Sequence, residues 1–287
     1  MKYKTSLSHR NLEPENGVLY LVGTPIGNLS DISKRALHIL ENVFLIACED
    51  TRQTKKIMKS FYISNHMESF NKHNSFKKIP KIIDLLKSGK SIALVSDAGL
   101  PGICDPGEEL VKNTRNAGLD VICIPGPCAA ITALVSSGLP CSKFIFEGFL
   151  PRKKIEREKT LLEISKHSKT TIIYESPHRL NKLLEELKKY CGGSRKIQIA
   201  RELTKKFEEH IGQNINEAIK FFEDKDPVGE FTILLSAFEN ADNNSFDHIK
   251  LKRELHELVD IGLSLTAASK YLAKKNNLSK RIIYNLY

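Results

Sequence analysis

The sequence predicts two consecutive α/β domains followed by a small helical segment, and three observations lead to this prediction. Short β-branched runs alternate with helical patterns from residue 18 to about residue 146, the order typical of α/β folds. A second stretch of the same kind extends to residue 236, and residues 246–287 contain helical patterns alone. With 287 residues, 41% of them hydrophobic, the chain is long enough for two compact units and an appendage.

The first predicted domain, residues 17–146, contains five strands separated by helices. The predicted strands lie at 18–22, 43–47, 91–95, 120–124 and 143–146, and the helical patterns lie around 31–41, 51–61, 76–88, 107–117 and 127–137. Gly89 and Gly118 stand where helices are expected to end, and Ser30 precedes a helical pattern as an N-cap would. Residues 1–16 are charged and lack the apolar stretch of a signal peptide, so we expect a disordered tail.

The second predicted domain, residues 147–236, begins with a stretch rich in glycine, proline and basic residues. We interpret residues 147–159 as a linker. Strands are predicted at 170–174, 196–200 and 229–236, with helical patterns at 155–167, 177–190 and 214–223. Residues 237–245 are polar and read as a second linker. The segment after them, 246–287, resembles a small helix-turn-helix and carries eight Lys or Arg against four acidic residues.

Composition narrows the possible function classes. The formal net charge of +10 favours a polyanionic partner such as nucleic acid. Because no apolar run approaches the roughly 20 residues of a membrane span, we expect a cytoplasmic protein. The six cysteines form no CxxC pair and have no histidine at metal-ligand spacing, so we expect reduced core thiols and no metal.

Two loops rich in glycine and proline are the strongest functional signal. Residues 23–29 (GTPIGNL) and 96–107 (SDAGLPGICDPG) each follow an apolar run and open a helix. Such loops leave backbone N–H and C=O groups free to face a small molecule. Since the carboxyl ends of parallel strands meet at one sheet edge, we expect both loops to form one ligand site there. Neither loop fits a GxGxxG or a P-loop pattern, which disfavours a nucleoside triphosphatase.

Seven motifs occur in the order found in one protein family. They are GTPIGNLSDI (23–32), EDTR (49–52), SDAGLPGICDPG (96–107), IPGPCAAITAL (124–134), YESPHR (174–179), ARELTKKFEE (200–209) and GEFTILL (229–235). On these motifs the chain resembles the RsmI-type ribosomal RNA small-subunit methyltransferase I family, of the tetrapyrrole-methylase fold class. The resemblance covers residues 17–236, and the basic tail resembles the C-terminal helix-turn-helix of that family.

The resemblance implies 2′-O-methylation of a cytidine in the decoding centre of 16S rRNA, with S-adenosylmethionine as donor and the assembled small subunit as substrate. It also implies a homodimer and a donor site in the cleft between the two α/β domains. The candidate donor-binding residues are Thr24, Pro25, Gly27, Ser96, Asp97, Ala98, Gly99, Ser176 and Thr232. Backbone groups of both loops, with the hydroxyls of Thr24 and Ser96, would hold the amino acid and ribose, and Thr232 would meet the adenine.

Methyl transfer to a hydroxyl also requires in-line positioning and a group that accepts the proton. Candidates for this base are Glu49, Asp50, Asp105, Glu175, His178 and Glu202, although each could instead cap a helix or pair with an arginine. We place Glu202 first, with Arg201 either orienting its carboxylate or binding an RNA phosphate. Asp105 and Glu49 are the next candidates.

Several cationic residues near the predicted cleft are candidates for RNA binding. They are Arg52, Arg152, Lys153, Lys154, His178, Arg179 and Lys205. Other roles stay open, since Arg52 could pair with a carboxylate, His178 could cap a helix and residues 152–159 could form a solvated linker helix. The apolar residues of the tail could likewise serve packing or dimerisation alone.

Two alternative functions remain open at this point. The chain could methylate a tetrapyrrole or another small acceptor on the same fold, or it could be a ribosome-assembly factor that binds RNA without catalysis. The basic tail favours an RNA acceptor over a small one, and the two intact donor loops favour an enzyme over a binding factor.

Overall fold

Two five-stranded sheets build the larger of two units in this computed structural model. The structure describes residues 12–238, 248–276 and 278–287, and the chain divides into Met1–Ala237 and Phe238–Tyr287. Most of the predicted tail at 1–16 and of the predicted linker at 237–245 lies outside the described residues. In the described ranges, no helix is long and apolar enough to span a membrane.

The first sheet is fully parallel, with strand order β3-β2-β4-β1-β5. Its strands are β1 (Leu19–Val22), β2 (Leu45–Cys48), β3 (Met67–Ser69), β4 (Ile92–Val95) and β5 (Val121–Ile124). Its helices are α1 (Lys34–Asn42), α2 (Thr51–Ser60), α3 (Ser75–Lys87), α4 (Glu108–Asn116) and α5 (Ala129–Ser136). Every residue of β2 and β4 is buried, as expected where helices cover both faces of a parallel sheet.

Glycine and serine residues set the ends of several helices that pack on this sheet. Gly89 and Gly118 lie just beyond α3 and α4 with φ of +83° and +71°, which confirms that glycine ends both helices. The N-cap of α1 is Ser33, whose Oγ accepts a hydrogen bond from the Ala36 N–H. The prediction of Ser30 as this cap was wrong, because Ser30 lies in a single 3-10 turn whose own cap is Asn28.

The loops that leave β1, β4 and β5 are fastened to one another at the carboxyl edge of the sheet. Thr24 and Gly99 exchange two backbone hydrogen bonds, of 2.9 and 3.1 Å. A Cβ atom on Gly23 would lie only 2.7 Å from the Cα of Gly126, so both positions need glycine for this close approach. The prediction that the two glycine-rich loops share one sheet edge is therefore confirmed.

The second sheet is mixed, with strand order β6-β7-β10-β8-β9. Its strands are β6 (Phe144–Phe149), β7 (Thr170–Glu175), β8 (Ile197–Arg201), β9 (Glu209–Ile211) and β10 (Phe231–Leu235), and its helices are α6 (Lys154–Ser165), α7 (Pro177–Cys191) and α8 (Ile215–Glu223). Strand β10 is antiparallel to β7 and to β8, and Phe231 lies opposite both Glu175 and Arg201. The carboxyl ends of β7 and β8 therefore share one edge, as predicted.

Three details of this region differ from the sequence-based predictions. The strand expected to end the first domain pairs with β7 in the second sheet. Residues 147–159 are not a linker, since β6 continues to Phe149 and α6 begins at Lys154. The strands β3 and β9 were not predicted, because each has three residues and neither is a continuous apolar run.

The described residues of the C-terminal unit, 248–276 and 278–287, form three helices, which confirms the helical pattern of the tail. They are α9 (His248–Asp260), α10 (Leu265–Lys275) and α11 (Lys280–Tyr284). Leu255, Leu272 and Ile283 are fully buried in its small core. The hydroxyl oxygens of Ser264 and Ser279 accept backbone N–H bonds at the starts of α10 and α11, which sets the turns between the helices.

Candidate active site

A cavity of about 450 Å³ lies where loops of the first sheet face the strand ends of the second. Of the predicted site residues it brings together Glu49, Asp97, Ala98, Gly99, Asp105, Glu175, Ser176 and Thr232. The lining residues that were not predicted from the sequence include Ile26, Ile103, Phe149, Tyr174, Leu203 and Glu230. A pocket of this size with apolar walls and a few polar groups is typical of a small-molecule site.

The hydroxyl groups of the two glycine-rich loops fasten the loops and do not face the cavity. Thr24 is only 1% exposed, and its Oγ1 lies 3.4 Å from the carbonyl oxygens of Ser96 and Gly99. The equally buried Ser96 Oγ lies 3.2 Å from the Ala98 carbonyl oxygen, and this hydroxyl also makes a hydrogen bond with Asp105 of the same loop. The prediction of direct donor contacts from these hydroxyls is corrected accordingly, because their hydrogen-bonding capacity is used inside the loops.

Pro25 and Gly27 also lie outside the cavity lining. Pro25 is buried, and Gly27 packs against the loop that follows β8. A Cβ atom on Gly27 would meet the Thr204 hydroxyl at 2.8 Å and the Leu203 carbonyl at 3.0 Å. Gly27 therefore shapes the contact between the loop after β1 and the loop after β8, while its neighbour Ile26 is the residue that reaches the cavity.

Three carboxyl groups converge on one side of the cavity. Burial, together with repulsion from Asp105 and Asp97, raises the pKa of Glu49. Burial likewise raises the pKa of Asp105 and of Asp97, although Ser96 donates a hydrogen bond to Asp105 and the Asp50 N–H donates to Asp97 Oδ1 at 3.0 Å. Groups so placed favour a cationic ligand, which would relieve their mutual repulsion.

Asp50 and Arg52, from the EDTR motif, form an ion pair of their own on the surface. Asp50 Oδ1 accepts from the Arg52 N–H at the start of α2, and Asp50 Oδ2 lies 2.7 Å from Nη2 of Arg52. Side-chain and backbone hydrogen bonds from Arg52 lower the pKa of Asp50 to about 2. Asp50 therefore caps a helix and is a poor proton acceptor, whereas the Arg52 side chain, 86% exposed, stays open to an RNA phosphate.

Another part of the cavity lining is apolar and aromatic. The Tyr174 hydroxyl accepts a hydrogen bond of 2.9 Å from the Ala130 N–H, in the first turn of α5, and burial raises the pKa of this phenol. The ring of Tyr174 makes edge contacts with Phe146 and Phe149. Thr232 is buried in β10, between Tyr174 of β7 and Ala200 of β8, and this wall suits an apolar ring.

Glu202 directly follows β8. It does not line the cavity itself but contacts Glu230, which does. Its Oε1 accepts hydrogen bonds from Lys205 Nζ at 2.8 Å and from the Glu230 N–H at 2.9 Å. Burial favours a higher pKa, but these two bonds outweigh it and lower the pKa of Glu202. A carboxylate held as an anion in this way is a weak base, so the geometry favours a supporting role for Glu202 and Lys205.

Arg201 does not orient Glu202 through a hydrogen bond, which corrects one of its two predicted roles. Its Nε donates to the Val228 carbonyl at 2.7 Å, and its Nη1 donates to Glu209 Oε2 at 3.1 Å. The guanidinium group therefore ties β8 to β9 and to the loop before β10. Contact with an RNA phosphate remains a proposal for this residue.

Glu175 is fully buried and is held by two arginines, of which Arg157 was not predicted as part of the site. The carboxylate lies 3.5 Å from Nη2 of Arg157 and 3.3 Å from Nε of Arg179. Arg179 also donates to the Leu150 carbonyl at 2.9 Å. Arg179 thus holds the chain just after β6, which disfavours it as an RNA ligand, and the two ion pairs of Glu175 favour a structural role for this residue.

The other predicted RNA-binding residues lie on the surface near the cavity. His178 is exposed in the first turn of α7, directly after the lining residues Ser176 and Pro177. The exposed cations Arg152, Lys153 and Lys154 follow the lining residue Phe149. The structure therefore brings these cations to the neighbourhood of the site, as expected for groups that meet a polyanion.

The cysteines are free thiols, but they do not all lie in the core. Cys48 is buried, whereas Cys123 and Cys141 are exposed, so the prediction of core thiols was wrong for these two. Cys123 lies on β5, the edge strand of the first sheet, where one side of the strand is uncovered. In the part of the chain that the structure describes, no group of three His, Cys, Asp or Glu residues could hold a metal ion.

Sequence comparisons connect this site to known proteins. Residues 18–219 match the model of the Tetrapyrrole (Corrin/Porphyrin) Methylases family. The chain is 43% identical over 270 residues to Ribosomal RNA small subunit methyltransferase I of Synechocystis, covering 94% of this chain and 97% of that protein. The protein of that name from Bacillus subtilis is 41% identical over 281 residues, covering 96% of each chain. The one from Thermotoga maritima is 47% identical over 223 residues, which cover 78% of this chain and all of that protein.

Solved structures with low sequence identity share the fold. A cobalt precorrin-4 methyltransferase matches with a TM-score of 0.59 at 15% identity, covering 77% of this chain and 95% of that one. The uroporphyrin-III C-methyl transferase of Thermus thermophilus, complexed with S-adenosyl homocysteine, matches with a TM-score of 0.54 at 14% identity, covering 75% and 96%. These matches confirm the predicted fold class.

Proposed function

The chain belongs to the ribosomal RNA small subunit methyltransferase I family of tetrapyrrole methylases, and on this premise we propose that it methylates the 2′-oxygen of a cytidine in the decoding centre of 16S rRNA. It is an S-adenosylmethionine-dependent enzyme that acts on small-subunit rRNA. The assembled subunit as substrate, the homodimer, the cytoplasmic location and the absence of a metal are parts of the proposal. Similarity over nearly the whole chain favours this function over a small-molecule methylase or a non-catalytic factor.

The observation that carries the proposal is the mixed lining of the cavity, which combines three carboxyl groups with apolar and aromatic side chains. S-adenosylmethionine supplies, when bound, a methyl group activated on a cationic sulfonium. The three carboxyl groups Glu49, Asp97 and Asp105 fit that cation and the ammonium group of the donor. The apolar wall with Tyr174 and Thr232 fits a planar adenine. The volume of about 450 Å³ suits one ligand of this size.

Donor binding is expected to depend on pH with a defined sign. The carboxyl groups attract the sulfonium only when deprotonated, and burial raises the pKa of all three above the ordinary carboxyl range of about 4. S-adenosylmethionine affinity should therefore fall as the pH is lowered through these raised pKa values. We expect a loss of about tenfold between pH 8 and pH 5. Titration calorimetry at a series of pH values measures this.

S-adenosylhomocysteine provides the matched control for that titration. It carries the same amino acid and adenosine, but its sulfur is neutral, so its affinity should change less over the same pH range. Equal pH dependence for the two ligands would show that the carboxyl groups do not sense the sulfonium. No binding of either ligand at any pH would contradict the proposed donor site as a whole.

For the proton acceptor we propose Asp105, with Glu49 as the next candidate. Both line the cavity, and burial raises the pKa of each toward the range where a carboxylate accepts a proton effectively. Asp105 lies near the end of the 96–107 loop that would hold the donor, three residues before α4 begins at Glu108, so the start of a helix supports its position. Glu202, our first candidate from sequence, takes the supporting role that its bonds to Lys205 and Glu230 favour.

The C-terminal unit is proposed as an accessory RNA-binding element. Lys270, Lys274, Lys280 and Arg281 are exposed on α10 and α11. The Thermotoga maritima relative is matched along its whole length by only 223 residues of this chain. A methyltransferase of this name can therefore be shorter than the present chain, which fits an accessory role.

Deletion of residues 238–287 should leave the S-adenosylmethionine affinity unchanged and weaken binding to small ribosomal subunits. The donor cavity is lined entirely by residues of the first unit, whereas the deletion removes exposed cations. In filter binding at a series of salt concentrations, the slope of log affinity against log salt should become smaller by roughly one unit for each RNA phosphate that the shortened protein no longer neutralises. An unchanged slope and affinity would assign the C-terminal unit to packing alone.

A further inference from the structure

The geometry points to Phe149 as the platform on which the base of the acceptor nucleotide stacks, an inference that rests on the proposed function. Phe149 is the last residue of β6 and lines the cavity, yet 54% of it is exposed. A phenylalanine that is both part of a pocket wall and open to solvent can offer a ring face to a planar ligand.

A register shift in β6 directs this side chain into the site. Phe146 pairs with Ile172, but Gly148 pairs with Ile173 and Phe149 with Tyr174, so Glu147 is an extra residue. Without the shift Phe149 would lie opposite Glu175, on the face of Ile173, which packs against α6 and α7. Because strand side chains alternate between faces, one extra residue moves Phe149 to the face of Tyr174.

Glycine and cysteine at the contact between the two sheets make the shift possible. Gly148 has a φ of +63°, and a Cβ atom there would lie 2.7 Å from the Cys104 sulfur. The Phe149 N–H donates to this same sulfur. The end of β6 is thus fixed against the donor loop of the first sheet. The ring centroids of Phe149 and Tyr174 lie 5.6 Å apart in an edge contact.

Phe149 is followed by a buried residue, Leu150, and then by exposed cations. Leu150 is 2% exposed, and its carbonyl accepts a hydrogen bond from Arg179. Arg152, Lys153 and Lys154 follow and are exposed. An aromatic face beside cations is the arrangement by which proteins hold an unstacked nucleotide, with the base on the ring and the backbone phosphates on the cations. The half-exposed position of Phe149 suits an acceptor that enters from solvent.

Phe149→Leu and Phe149→Tyr separate stacking from packing. Leucine keeps apolar volume and loses the aromatic face, whereas tyrosine keeps the face. With unmodified small ribosomal subunits and labelled S-adenosylmethionine, kcat/KM for the subunit should fall about tenfold or more in the leucine variant and stay within about threefold of the original in the tyrosine variant. The S-adenosylmethionine affinity, measured by calorimetry, should stay within about twofold in both.

Phe144→Leu is the matched control, because Phe144 lies on the same strand, is 39% exposed and does not line the cavity. Its methyl transfer should be unchanged. Full methyl transfer by Phe149→Leu would overturn the inference, and so would a parallel loss of donor affinity, which would assign the ring to the donor adenine. If the unsubstituted protein binds donor but methylates no subunit, the proposed function fails and the inference fails with it.

Discussion

Replacing Asp105 by asparagine is expected to lower the single-turnover rate of rRNA methylation by about 10²-fold or more, the loss typical for removal of a general base. The amide keeps the shape of the side chain and its hydrogen bond with Ser96 but cannot accept the proton of a hydroxyl. The reaction needs the deprotonated carboxylate, and burial raises the pKa of Asp105. The rate of the unsubstituted protein should therefore rise with pH through that raised pKa, and the Asn variant should lose this rise.

Glu108→Gln is a suitable control for this experiment. Glu108 lies three residues further along the chain, is exposed and does not line the donor cavity, so its rate and pH profile should be unchanged. Rates are measured at saturating donor and subunit concentrations from about pH 5 to 8, which lies above the ordinary carboxyl pKa of about 4. If the Asp105 variant retains its rate and its pH profile, Asp105 is not the base, and Glu49→Gln becomes the decisive variant.

Replacing Arg157 by methionine is expected to lower the free energy of unfolding more than any other substitution proposed for this protein. Arg157 is 4% exposed and makes ion pairs with Glu175, at 3.5 Å, and with Glu186, at 2.7 Å. Its removal leaves the buried Glu175 carboxylate with Arg179 as its one remaining cation among these partners. Breaking a buried pair in this way costs about 3 kcal/mol or more of unfolding free energy. In a unit of this size the Tm should fall by roughly 6–12 °C in calorimetric scans.

Two further variants test whether the missing positive charge of Arg157 causes the expected loss of stability. Lys159→Met on the same helix removes an exposed cation and should leave the Tm nearly unchanged. The double variant Arg157→Met with Glu175→Gln should recover part of the loss, because the neutral amide no longer needs a buried cation. Equal stability of the single and double variants would instead assign the loss to the packing of the long Arg157 side chain.

The sequence predicted most of the fold because hydrophobic runs and glycines act locally. Strands buried on both faces, such as β2 and β4, are continuous apolar runs, and helix ends such as Gly89 are fixed by a single backbone conformation. β9 could not be predicted in this way, because it has three residues and its pairing with β8 depends on partners distant in sequence. The extra residue in β6 leaves no such local pattern either.

The site was predictable in its loops and less so in the roles of its side chains. The two glycine-rich loops were expected at one sheet edge, and Glu49, Asp97 and Asp105 line the cavity there because strand order decides which loops meet. The role of Glu202 depended on Lys205 and on the Glu230 N–H, and that of Arg179 depended on the buried Glu175. Such partnerships are set by side-chain geometry, which residue type and position alone do not specify.

The contact between Gly23 and Gly126 has a consequence for how this protein can vary. A methyl group at either position would meet the backbone of the other glycine, since the nearest atoms of each are Cα and main-chain atoms of its partner. Trimming a neighbouring side chain cannot make room, so a substitution at one site has no compensating substitution at the other. Both positions therefore require glycine, although about a hundred residues separate them in the sequence. A mutational library of this enzyme that varies either position is expected to yield no folded variant there.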